Sequence, residues 1–345
     1  MPFDSLMNEG SLFYFRYIFF GMGVWYLLDN NPHISTCLMY VSIISILVVS
    51  ADALFQYFNG LNLLGNSKPN PHRLTGLFGH EPIVGRYIAY LSLFTFALIY
   101  QNFKRSKKII IFSVSFLVVT EIVVFLSGER APFFYLILFS VFLFIFNPNY
   151  RLYRLLGLLV SISIIYGIFF INSNAKTRVI DLTIKQLNQT QFPFLPYSDH
   201  HEEHYISGLK MFVDKPLFGI GTNLFRNKCE YKIYIYKERS CNTHPHHYYI
   251  QTLAELGIFG FSFILIFFLY LSFNLLKQFF YYMRSNTHKK IPFEYLQFHI
   301  LLFIFWWPII PHMSLYNNWN NVLMMLPLGY FMKYLYENRI NGNTS

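Results

Sequence analysis

Long apolar runs separated by short polar loops set the pattern of this chain. VSIISILVVSADALF (41–55), KKIIIFSVSFLVVTEIVVFL (107–126) and FSFILIFFLYLSF (261–273) carry few charges. A helix needs about 20 mainly apolar residues to cross the hydrocarbon core. That template predicts an all-α polytopic membrane protein with about nine transmembrane helices. The expected segments are 11–28, 35–58, 83–101, 108–126, 131–147, 154–171, 248–272, 294–311 and 320–337, with Pro327 expected to kink the last.

The loops between these segments differ in charge, and that difference predicts sidedness. Lys104, Arg105, Lys107 and Lys108 fall in QNFKRSKK, and Arg151 and Arg154 in NPNYRLYR. Lys277, Arg284, Lys289 and Lys290 follow the seventh segment. SGER (127–130) and HMSLYNNWN (312–320) alternate with them and are poor in lysine. The basic loops are therefore expected inside. Residues 59–83 and the long loop 172–247 are expected outside. The C-terminus then lies inside and the N-terminus outside, unless a further span precedes the given start. Three regions follow: helices 1–6 in 1–171, the external loop in 172–247, and helices 7–9 in 248–345.

Composition agrees. The chain has 345 residues, 54% hydrophobic and only 13% charged, against about 25% charged in soluble domains. The formal charge of +10 sits in loops between apolar runs, not on one interleaved basic face. Membrane topology accounts for it, and nucleic-acid binding is not indicated. No charged, apolar and small-residue series of a cleavable signal peptide precedes the first run. Three cysteines are too few for a disulfide scaffold. Cys229 and Cys241 both lie in the external loop, where a bridge is expected. Cys37 is expected near the inner side.

The external loop holds most of the candidate chemistry. It contains a helix-like stretch, His204–Asp214, stopped by Pro216, and ends in His244, His246 and His247. Imidazole titrates near neutral pH and can take a proton from a hydroxyl. The same cluster is compatible with a polar interface or with buried histidines. His200, His201 and His204, beside Glu202 and Glu203, raise a metal reading, because His200 and His204 share a helix face. The HExxH pattern is absent and the two cysteines lack CxxC spacing. Arg130, at the start of APFFYLILF, sits where an unpartnered cation is unfavourable. It either snorkels or holds an anion such as phosphate. Arg178, in NSNAKTRVI, is a second interfacial cation or a solvated loop charge. Glu121 and Glu255 are carboxylates inside expected spans. Each either offsets an arginine or orients a histidine. KPLFGIGTNLF (215–225) lacks the third glycine of a dinucleotide fingerprint and reads as a turn.

Three stretches carry a resemblance. HHYYIQTLAELGIFG (246–260) resembles a pattern of His, an amide or hydroxyl residue, nine residues and Gly-x-x-Gly, with His247 departing at the second position. SGERAPFF (127–134) is similar to a Ser-Gly-x-Arg-Ala turn. HYISGLKMFVDKPLFGIGTNLF (204–225) is similar to the segment before the histidine. ADALFQYFNGLNLLG and RLTGLFGHEPIVGRYIA add to the likeness. Together, over about residues 51–262, they resemble the O-antigen ligase and O-antigen polymerase superfamily of bacterial membrane glycosyltransferases. The resemblance implies a helical bundle in the bacterial inner membrane, with a large periplasmic loop at the site. It implies transfer of a glycan from an undecaprenyl-diphosphate carrier to lipid A–core, by a ligase, or to a lipid-linked repeat unit, by a polymerase, with no metal or nucleotide cofactor. His246 resembles the base, Arg130 an arginine on the diphosphate, and Arg178 a second one. His244, His247, Glu255 and Glu121 complete the candidate substrate-binding set.

A transporter or lipid flippase, suited by Glu121 and Arg16, and a metal-binding membrane sensor are the readings from other classes. Paired broken helices in inverted repeats would mark the transporter, and none is visible in the sequence. A dual reporter fused within 101–108 should be active only in its cytoplasmic form, and one fused within 172–247 only in its exported form. The reverse pattern would overturn the sidedness.

Overall fold

Apolar side chains on every face require a helix to be surrounded. Val84–Asn102 meets this condition, since nearly every residue from Val84 to Tyr100 is buried. The computed structural model describes residues 14–103, 106–171, 177, 181–188, 198–284 and 289–342. Its helices are α1 (Arg16–Asn30), α2 (Ile34–Asn59), α3 (Val84–Asn102), α4 (Lys107–Leu126), α5 (Arg130–Phe146), α6 (Arg151–Ile171), α7 (Leu182–Asn188), α8 (Asp199–Asp214), α9 (Phe225–Lys228), α10 (Tyr248–Met283), α11 (Phe293–Phe305) and α12 (Asn318–Gly342). Among the described residues no strand forms, only isolated bridges Leu61–Ser67 and Asn70–Arg73.

Every segment expected to span overlies a helix. Ile34–Asn59, Lys107–Leu126, Pro148–Phe170 and Tyr248–Met283 are long and apolar enough to cross a membrane, and Arg130–Phe146 and Phe293–Phe305 are shorter apolar helices. Two boundaries differ most from expectation. α10 continues to Met283, past the expected 272. α11 ends at Phe305 rather than 311, because Pro308 and Pro311 follow and cannot donate to a helical ladder. α12 runs through Pro327.

The chain divides into two units. One comprises Gly21–Asp181, Leu275–Phe305 and Leu326–Ser345. Within it α2, α4, α5 and α11 pack around α3. Rings fill the spaces: Phe96 on Phe139 at 5.2 Å, Tyr90 on Phe305 at 4.2 Å, and Phe298 stacked on Tyr330 at 4.4 Å. Ser106 caps α4 by accepting the Ile109 N–H. Glu121 on α4 meets Arg154 on α6, and both are buried. Ser161 donates to the carboxylate at 2.5 Å, and Arg154 Nε donates to Ser140 Oγ on α5 at 2.9 Å. A charge in a low-dielectric interior needs such a satisfied partner set, and this one ties three helices. The outer faces are the opposite. Val41, Ile44, Leu47 and Val48 on α2, and Leu152, Leu155, Leu156, Leu159 and Val160 on α6, are exposed. Apolar stripes of that length suit lipid, not water.

The other unit comprises Met1–Phe20, Leu182–Asn274 and Trp306–Met325. Its central feature is a break in α10 at Gly257, whose φ of 64° and ψ of −163° leave the helical region. A break frees backbone groups that lipid cannot satisfy. The turn after α8 satisfies them. Ile258 N–H donates to Pro216 O at 2.8 Å and Phe259 N–H to Leu217 O. Ile220 N–H donates to Ala254 O at 2.9 Å and Gly221 N–H to Glu255 O at 3.0 Å. A Cβ on Gly219 (φ 66°) would lie 2.3 Å from the Glu255 carbonyl carbon, and one on Gly257 would lie 2.4 Å from that of Leu217. The GIG turn and the GIFG break are therefore mates, and the turn read from the sequence is this one. Below it, Met211, Ile220, Phe225, Cys229, Tyr234 and Ala254 form a buried cluster. Cys229 is bridged to Cys241, a short closed loop contributing about 3 kcal/mol in the chain-entropy account. Replacing Gly219 or Gly257 with alanine should destabilise by at least about 1–3 kcal/mol, the range for a strained backbone position. Thermal unfolding in detergent measures this, and a melting point equal to wild type for both would refute the interlock.

Candidate active site

The start of α10 is built by His247. Its carbonyl accepts the Gln251 N–H at 2.8 Å, and its ring Nδ1 accepts the Ile250 N–H at 3.4 Å. It is thus the N-cap of the helix. Its Nε2–H donates to Pro308 O at 2.8 Å. Asn and Ser are good caps, which explains how a histidine fills the position where the resembling pattern has an amide or hydroxyl residue. Burial, only partly opposed by the Pro308 bond, pushes the His247 pKa down to about 4.

His246, one residue earlier, has a left-handed backbone with φ of 56°. Such conformations in non-glycine residues concentrate at functional positions. Its carbonyl accepts the His312 N–H at 2.7 Å. Its half-buried ring lies 4.0 Å from the His244 ring and 5.6 Å from those of His201 and His204 on α8. Asn242 Nδ2 lies 3.2 Å from its Nε2. α8 is held to this loop by Glu203, which accepts the Arg239 N–H at 2.9 Å and pairs with its guanidinium at 3.1 Å. Arg239 also donates to His200 Nε2 at 2.7 Å. Burial lowers the pKa of His204. The two histidine groups of the sequence thus form one cluster. Among the described residues no three His, Cys, Asp or Glu side chains are placed to hold a metal ion.

Beneath the cap, Glu255 closes the 216–225 turn. Its oxygens accept Asn223 N–H at 2.9 Å and Phe225 N–H at 3.0 Å. Gln251 joins α10 to the segment before α12, accepting Leu315 N–H at 2.9 Å and donating to Ser314 Oγ at 3.2 Å. Arg16 bonds to Asn318 and Tyr17 in the same unit.

In the unit built around α3, Arg130 opens α5, and Glu129 just before it is buried. Glu129 Oε1 accepts the Gly85 N–H at 2.7 Å, and Oε2 lies 3.9 Å from Arg73. Burial raises the Glu129 pKa, opposed by Arg73 and Arg86. Arg73 also donates to Pro82 O at 2.9 Å and feels the charges of Arg86 and Arg130. Arg73 and Arg86 thus act on this one carboxylate, and Arg130, next to it in sequence, acts on Arg73. Gln56 delivers Arg73, because its Oε1 accepts Thr75 and Gly76 N–H, both at 2.9 Å.

Of the residues picked from sequence, His244 and His246 meet in one cluster. His247 and Glu255 are engaged as cap and turn anchor, Glu121 as the partner of Arg154, and Arg130 stands with Arg73 and Arg86. Arg178 lies outside the described residues. Arg73, Arg86, Asn242 and His312 were not singled out by sequence reasoning. For the two arginines a signal existed, since RLTGLFGHEPIVGRYIA was itself part of the resemblance.

A depressed histidine pKa has a definite sign. Between about pH 6.5 and 4 the unfolded chain binds a proton that folded His247 does not, so stability falls as the pH drops through that window. The His247 share is at most about 3 kcal/mol. His247→Asn keeps a capping oxygen and gains no proton. Its melting point should fall less steeply than that of wild type from pH 6.5 to 4. Parallel curves would show that His247 is not the buried neutral cap.

Residues 114–265 match the family model described as O-antigen ligase. No curated protein matches the chain. The matched span contains the Arg130 turn, the α8 segment, the His246 pair and the Gly257 break. Through it the chain resembles the O-antigen ligase and polymerase superfamily, and the match supports a place there.

Proposed function

We infer that this protein is an inverting glycosyltransferase at the periplasmic face of the inner membrane. It moves a glycan from an undecaprenyl-diphosphate carrier to an acceptor hydroxyl. The observation that carries this reading is that one matched family span contains both Arg130 and His246. The chemistry asks for a base and for cations. His246 takes the acceptor proton as the oxygen attacks the anomeric carbon. The bond from that carbon to the diphosphate oxygen breaks, and its electron pair leaves with the diphosphate. Arg130, with Arg73 and Arg86 beside it, meets the charge that develops there. Arg178 is the remaining cation assigned to the same role. Attack opposite the leaving group inverts the anomeric centre. His244 lines the acceptor side, while His247, Glu255 and Glu121 hold the helices that present these groups.

Surface glycan from a strain lacking the gene tests the reading and separates its two forms. Core bearing one repeat unit identifies a polymerase, and bare core with accumulated lipid-linked polymer identifies a ligase. His246→Ala should fail to complement, with transfer reduced by at least about 100-fold, the lower range for loss of a general base. Arg130→Ala should fail likewise, and Arg130→Lys should restore only part, because a point charge replaces a bidentate fork. Full complementation by His246→Ala would overturn the base assignment.

A further inference from the structure

Asn242 stands directly after bridged Cys241 and four residues before His246. Its amide orientation is fixed, because Oδ1 accepts the Thr243 backbone N–H at 2.7 Å. The NH2 group therefore faces the imidazoles, 3.2 Å from His246 Nε2 and 3.4 Å from His204 Nε2. An amide nitrogen has two hydrogens and donates only. Both ring nitrogens must accept, so both imidazoles are neutral Nδ1–H tautomers. His204 agrees independently, since its Nδ1 lies 3.4 Å from the Ser240 carbonyl, which can only accept.

We propose that Asn242 is the positioning residue for His246, holding it in the tautomer whose Nε2 lone pair is the base. This rests on His246 being that base. The acceptor hydroxyl displaces the amide from Nε2. Its proton passes to Nε2 as its oxygen lone pair forms the new glycosidic bond, and the imidazolium later releases the proton to water. Two anchors make the arrangement stiff. The Cys229–Cys241 bridge ties Asn242 to the buried cluster around Phe225 and Met211. The His312 N–H holds the His246 carbonyl at 2.7 Å. Asn242 itself is exposed, so its replacement leaves the core untouched.

Residue-resolved carbethoxylation by diethyl pyrocarbonate tests this with a readout besides transfer activity. The full chain in lipid nanodiscs is modified from pH 5 to 8 and read by mass spectrometry. Among the described residues, the titratable rings facing His246 include His244 from its own segment, and His201 and His204 from α8, each read in the same digest. In Asn242→Ala the limiting rate at His246 should rise several-fold, because the lone pair is uncovered. Its midpoint should move up, because a donor to the neutral form is lost. Asn242→Asp should move the midpoint further, since a carboxylate favours the cation. Cys229→Ser/Cys241→Ser should reproduce the Asn242→Ala change in part. An unchanged rate and midpoint at His246 in Asn242→Ala would overturn the proposal. A shifted midpoint with no matching shift in the pH profile of transfer would overturn it too. Failure of the base assignment is read separately, by complementation with His246→Ala.

Discussion

The break in α10 at Gly257 is the constraint on which the unit holding Leu182–Asn274 depends. A helix interrupted within an apolar segment leaves amides and carbonyls that lipid cannot serve. Here the Pro216–Gly221 turn serves them with four backbone hydrogen bonds. Two residues lacking a Cβ, Gly219 and Gly257, allow the backbones to approach that closely. Everything upstream then has a fixed place. α8 enters the turn, Glu255 holds the chain leaving it, and the α9 segment carries Cys229 to its bridge with Cys241. The bridge fixes Asn242, and Asn242 reaches His246.

Charge burial follows one rule in both units. Glu121 and Arg154 neutralise each other with serine hydroxyls filling the remaining sites. Glu255 is satisfied by N–H groups and the Gln251 amide. Glu129 differs. It faces Arg73 and Arg86, with Arg130 next to it in sequence. Glu121 and Glu255 are closed in by their partners, whereas Glu129 sits beside guanidinium groups, whose fork suits phosphate oxygens. The same distinction separates the histidines. His247 has both ring nitrogens engaged by backbone, while His246 is met at Nε2 by a displaceable exposed amide.

Much of this was legible along the chain. Runs of apolar residues report helices because one residue type on all faces needs either lipid or a surrounding bundle. α3 and α6 show the two outcomes from similar composition. Enclosure of α3 and exposure of α6 depend on neighbours, which periodicity does not report. The placement of His246 and His247 just ahead of α10 was readable too, since their polar stretch stops where the apolar run starts.

The sequence by itself determined the helices, the turn after Pro216, and the histidines at the start of α10, because each depends on residues close together in the chain. Only the tertiary structure decided that Glu121 belongs to Arg154, that Gly219 meets Gly257, and that Arg73 and Arg86 act on Glu129. The Glu121–Arg154 pair spans 33 residues, and the Gly219–Gly257 interlock joins the loop to a transmembrane helix. Such partnerships are selected by packing and by the energy of leaving a buried polar group unmatched. A linear pattern carries the need for a partner, but not its address.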